Sequence, residues 1–87
     1  MKKENYYGLF REIKGIIEAN SSEFERASYV FRDNFIGVEL SSGSMSSKMV
    51  RCIAEFLNNR ENVGLIIDSS SIDKSESLIL SFYISED

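Results

Sequence analysis

The sequence predicts a two-layer α+β domain, with about four mainly antiparallel strands carrying two amphipathic helices on one face, in the order α-β-β-α-β-β. Three observations carry that expectation. Two segments repeat apolar residues at helical spacing, residues 27–40 match themselves as a hairpin in one register, and two apolar segments near the C-terminus have the length and periodicity of strands. The 87 residues suffice for a single domain spanning 1–87, at the small end of what folds without disulfides or metals.

The first helix is read from Tyr6, Leu9, Phe10, Ile13, Ile16 and Ile17, which recur at i, i+3, i+4, i+7, i+10 and i+11 and so share one stripe. At about 1.5–3 kcal/mol per buried side chain, the stripe contributes roughly 9–18 kcal/mol before chain entropy is subtracted. Gly8 and Gly15 lie seven apart on the far face. Each costs about 1 kcal/mol against alanine, so packing must hold this helix where propensity alone would not. Asn20-Ser21-Ser22 ends it.

The hairpin turns at Asp33-Asn34, two residue types that tolerate positive φ. This turn sets Arg32 opposite Phe35, and Phe31, Tyr29 and Ala27 opposite Ile36, Val38 and Leu40. The last three pairs are apolar on both sides and share a face, and a slip of one residue would destroy the match. The other face carries Arg26, Ser28, Val30, Arg32, Phe35, Gly37 and Glu39, a mixture that suits partial contact with water.

Ser41-Ser42-Gly43-Ser44 reads as a loop that leads into the second helix, whose stripe is Met45, Met49, Cys52, Ile53, Phe56 and Leu57. Ser44 or Ser46 is the expected N-cap, and Asn58-Asn59 the stop, through asparagine's tolerance of the left-handed cap. Residues 63–68, Val-Gly-Leu-Ile-Ile-Asp, form a continuous apolar run that suits a central strand or one covered on both faces. Residues 69–76 read as a polar loop. From Ser77 to Ser85 the chain alternates, with Leu78, Leu80, Phe82 and Ile84 on one side and Ile79 and Tyr83 among serines on the other.

Composition removes many chemistries. The apolar fraction of 43% is that of a globular chain. Histidine is absent, and with it the side chain that titrates nearest neutral pH and the commonest metal ligand. The lone Cys52 allows neither an internal disulfide nor a thiolate cluster, has no histidine to activate it, and sits in the second helical stripe, where core packing is its expected role. No catalytic residues, cofactor or metal are expected. Nothing approaches the roughly twenty apolar residues of a membrane helix, and no secretory apolar core follows Lys2-Lys3, so a cytoplasmic protein is expected.

Two sequence features point to binding. The first is charge: fourteen acids against ten bases give −4, a sign that argues against direct nucleic-acid or membrane binding. The imbalance is local, since residues 1–60 hold nine bases and eight acids whereas residues 61–87 hold Lys74 alone against six acids. Asp68, Asp73, Glu76, Glu86 and Asp87 are expected to steer a partner protein with a basic or nucleic-acid-binding surface, and Ile79 or Tyr83 to anchor it. The expectation requires these acids to gather on one rim. Small inhibitors, immunity proteins and phage-encoded antagonists such as anti-CRISPRs share this acidic, site-poor build. Alternatively, Val30, Phe35, Ile79 and Tyr83 would form an apolar sheet face for a homo- or hetero-oligomer, with homodimer and monomer equally open. The second feature is Ser42, Gly43, Ser44 and Lys48 at a helix start, where a phosphate or nucleotide would meet outward N–H groups; the competing reading is a plain serine cap.

Overall fold

The structure, a computed structural model, describes residues 3–72 and 75–85. Helix α1 spans Lys3–Ala19, followed by one 3-10 turn over Ser21–Glu23; β1 (Ala27–Arg32) and β2 (Phe35–Leu40) form the first hairpin; α2 spans Ser47–Asn58; β3 (Val63–Ile72) and β4 (Ser75–Ile84) form the second. The four strands make one antiparallel sheet in the order β1-β2-β4-β3. The α-β-β-α-β-β order and the two-layer fold are those expected from the sequence.

The first hairpin adopts the expected register, Ala27 opposite Leu40 and Arg32 opposite Phe35. The inward set then continues across the sheet, because Ile36, Val38 and Leu40 face Phe82, Leu80 and Leu78. Both helices lie on this side. Helix α1 covers β1, with the Phe10 ring 5.3 Å from Phe31 and 5.8 Å from Tyr29. Helix α2 covers β4, with Phe56 edge-on to Phe82 at 6.0 Å. Ile13, Ile17, Met49 and Ile53 complete one core with the strand residues.

Strand order, which sequence periodicity does not reveal, follows from where α2 crosses. Strands β2 and β3 both run antiparallel to β4 and therefore parallel to each other. The connection through α2 passes over β4, and the β3–β4 hairpin then returns the chain into the gap. β4 thereby becomes an interior strand, paired on both sides.

Three expectations need correction. β3 is an edge strand, neither central nor covered on both faces, and its Ile66 and Ile67 are 52% and 49% exposed. Residues 69–72 and 75–76, expected in a loop, are strand, since β3 runs to Ile72 and β4 starts at Ser75. Ten paired positions carry the ladder past its apolar part, and serines are tolerated there because backbone hydrogen bonds need no particular side chain. Asn59 ends α2 with φ −92° rather than in the left-handed region, its backbone N–H donating to the Leu57 carbonyl. Among the described residues no helix is long and apolar enough to cross a membrane.

Candidate functional site

Because both helices occupy one side, the other side of the sheet carries no layer among the described residues. Pleating puts Ser28, Val30 and Arg32 of β1, Phe35, Gly37 and Glu39 of β2, Ile79, Ser81 and Tyr83 of β4, and Gly64, Ile66 and Asp68 of β3 on that open face. The ladder fixes its rows. Arg32, Phe35, Tyr83 and Gly64 form the first; Val30, Gly37, Ser81 and Ile66 the second; Ser28, Glu39, Ile79 and Asp68 the third.

Small residues in the second row seat the aromatics of the first. A Cβ on Gly37 would lie 3.0 Å from Phe35 Cε1, so the Phe35 ring lies over the bare glycine backbone. Phe35 also packs against Tyr83, tilted, at 5.2 Å between ring centroids, and Gly37 and Ser81 are buried although no further element among the described residues covers this face. Val30 and Tyr83 are about half exposed, at 45% and 46%. The result is a preformed aromatic ridge with aliphatic shoulders at Val30, Ile66 and Ile79. In the third row Glu39 and Asp68 flank Ile79, two strand spacings apart, roughly 10 Å.

The sequence-derived partner residues are thus divided. Ile79, Tyr83 and Asp68 come together on the open face. Glu76 pairs with Ser71 at the hairpin end and faces the opposite way from Asp68, with its carboxylate so near Gly43 that a Cβ there would run into it. Glu61 precedes β3 at the far end, where Ser85 N–H donates to the Asn62 carbonyl. Asp73, Glu86 and Asp87 lie outside the described residues. Glu61, Asp68 and Glu76 therefore form no single rim. Glu39, not among the expected partner residues, is the other member of the acidic pair. The hairpin register had already placed it on the outer face, but only the β2–β4 pairing brings it beside Ile79 and Asp68.

The serine-rich loop spends its polar groups on the chain itself. Ser41 Oγ accepts from the Arg26 N–H at 2.7 Å, and Ser42 Oγ donates to the Ser44 carbonyl while accepting the Ser44 N–H. At the start of α2 the Ser46 hydroxyl accepts from Met49 N–H and donates to Glu23 Oε2 at 2.5 Å, and Ser46 N–H donates to Glu23 Oε1. Glu23 thus supplies the negative group that a helix N-terminus favours, and Glu76 lies against Gly43. Ser42, Gly43, Ser44 and Lys48 accordingly form the surroundings of an internal cap.

The cap has a titration signature. Donation from Ser46 through its hydroxyl and its N–H holds the Glu23 carboxyl below its ordinary 4.5. A lowered folded-state value means that stability is fully present above the unfolded value and is lost as pH falls through the folded one. Glu23→Gln is therefore expected to melt below the native chain at neutral pH, with the gap closing as pH drops beneath 4.5. Thermal melts across pH 3–7 measure this; a gap that widened toward acid would contradict the cap.

Between the helices runs a groove of about 480 Å³ lined by Gly15, Ile16, Asn20, Cys52, Phe56 and Arg60, among others. Cys52 is half-buried there instead of sealed in the core as expected. Arg60 bridges the groove's rim, pairing with Glu12 and lying 4.4 Å above the Phe56 ring. Among the described residues no three of Cys, Asp or Glu converge on a point where a metal would sit. No family model, no curated protein and no solved structure matches the chain.

Proposed function

We propose that the chain is a small acidic binding module that acts without catalysis, docking by its open sheet face onto a basic surface of a larger protein, as an inhibitor, an immunity protein or a phage-encoded antagonist would. A cytoplasmic setting with Cys52 reduced belongs to the same proposal. The observation that carries it is the Phe35–Tyr83 ridge, with the Phe35 ring over Gly37 and with Glu39 and Asp68 in the row beyond. An aromatic pair already packed ring against ring, with Tyr83 about half exposed, supplies contact area at low entropic cost, and adjacent carboxylates select a partner bearing Lys or Arg. Occupation of that partner's groove is the whole mechanism, steric block with charge complementarity.

The test is capture of a partner from the cells of origin, followed by affinity measurement with the purified pair. Affinity is expected to fall steeply between low and moderate ionic strength, and Glu39→Lys to slow association several-fold. Binding indifferent both to salt and to Glu39→Lys would overturn the electrostatic reading.

A further inference from the structure

From the free edge of β3 we infer that the chain forms a twofold homodimer, in which two β3 strands pair antiparallel and join two sheets into one of eight strands. This goes beyond the docking reading and uses the backbone edge of β3, with Ile66 and Asp68 at the border of the two surfaces. β3 is ten residues long, and among the described residues no strand pairs with its outward side. Edge strands are ordinarily protected by Lys, Pro, a bulge or shortness. Here the chain has no proline, and Asp68 is the one charge in Val63–Ile72. The opposite edge is guarded: β1 is six residues long and bounded by Arg26 and Arg32.

Exposure identifies what covers this edge. Ile66 and Ile67 are adjacent in sequence, so one points to the open face and the other to the helix side, yet each is about half exposed, at 52% and 49%. A partner lying on either face would cover only one of them. A further strand alongside covers both, and it turns β3 into the central strand that its continuous apolar run suits.

The sequence of β3 favours a second copy as that strand. Twofold antiparallel pairing has its axis perpendicular to the sheet, so one residue must face itself. Centring on Ile66 sets Ile66 against the partner's Ile66, Leu65 against the partner's Ile67, and Val63 against the partner's Ser69. Asp68 then meets Gly64 of the partner subunit, and no carboxylate faces another. Centring on Asp68 would oppose two carboxylates, and centring on Ile67 would set Asp68 against isoleucine. The helix layer agrees. Cys52, Glu55 and Asn59 mark the flank of α2 that faces α1. At 100° per residue, Val50 and Leu57 lie on the opposite flank, toward β3. Val50 is 47% exposed and extends the apolar strip of Leu65 and Ile67 upward into the helix layer.

Sedimentation equilibrium on the purified chain tests this. The 9.9 kDa protein is expected to sediment as a dimer at micromolar concentration, and Ile66→Lys with Ile67→Lys to raise the dissociation constant by about 100-fold while the circular dichroism spectrum stays native. Val30→Asp, on the open face and far from this edge, is expected to leave the dimer intact. Hydrogen exchange on the native chain decides the case should the lysine variant misfold: every amide from 63 to 69 is expected to be protected, whereas a free edge leaves alternate amides exchanging fast. A monomer, a dimer lost with Val30→Asp, or fast exchange at alternate amides of β3 would each overturn the inference. Partner capture is judged separately, on the native chain, Glu39→Lys and Tyr83→Ala, whose sites lie on β2 and β4 away from this edge; Ile66 and Val30 belong to the open face, so their variants are read for the dimer alone.

Discussion

Replacing Phe82 by alanine is expected to cost about 3–5 kcal/mol and to lower the melting temperature by roughly 15–30 °C. Phe82 is 1% exposed on β4, paired with Ile36 on one side and Leu65 on the other, with Phe56 edge-on above it. The cavity left by the ring opens between two ladders and α2, none of which can collapse into it without breaking hydrogen bonds. A domain of this size holds about 5–15 kcal/mol in all, so the variant approaches or crosses the unfolding limit at physiological temperature. Tyr83→Ala, one residue further on, is the internal control. Its side chain lies on the open face, and its removal should shift the melt by only a few degrees. Thermal melts of the two variants compare them directly. Equal losses, or the larger loss at Tyr83, would mean that β4 faces the other way, since a shift of one residue exchanges the two faces of a strand.

How far each element could be read from the sequence depends on whether the physics fixing it is local. The first hairpin was legible to the residue, because a two-residue turn and three apolar cross-strand pairs admit one register. The helices were legible from their stripes, and the cap was narrowed to Ser44 or Ser46, of which the structure uses Ser46, whose hydroxyl accepts from Met49 N–H. The far end of that cap was not legible. Glu23 lies 23 residues away, and only the 3-10 turn after α1 brings it to α2. β3 was misread for a related reason. An apolar run reports that both faces of a strand want cover and says nothing of what covers them. In the single chain Ile66 and Ile67 remain half exposed.

The candidate site follows the same division. Val30, Phe35, Ile79 and Tyr83 could be assigned to outward faces by parity alone, but their adjacency required the β2–β4 pairing. The acids show the opposite outcome. Their abundance near the C-terminus suggested one rim, yet β4 is ten residues long, about 33 Å, and so separates Glu76 at its start from Glu61 beside its end. Sequence clustering became spatial clustering only where a strand neighbour closed the distance, as for Glu39 and Asp68 across Ile79. Charge therefore supports docking through this pair rather than through the C-terminal segment as a whole.

Tyr83→Ala is expected to weaken partner binding by about 2 kcal/mol, roughly 30-fold, chiefly through faster dissociation. The ring is already held by Phe35 at 5.2 Å, so little freedom remains to be lost when a partner covers it. Phe35→Ala removes the same support from the other side and also uncovers Gly37, so part of its cost appears as stability and only the rest as affinity. A double-mutant cycle separates the two. If the rings act as one ridge, the double variant should lose less affinity than the sum of the singles, with a coupling of about 1 kcal/mol. Additive losses would place the two rings at separate contacts, and a full-affinity Tyr83→Ala would remove the open face from the binding surface altogether. Glu39→Lys completes the comparison, because a steering charge changes the association rate and its salt dependence while leaving dissociation nearly unchanged. Tyr83 acting on dissociation and Glu39 on association is the kinetic pattern expected of an aromatic ridge bordered by a carboxylate pair.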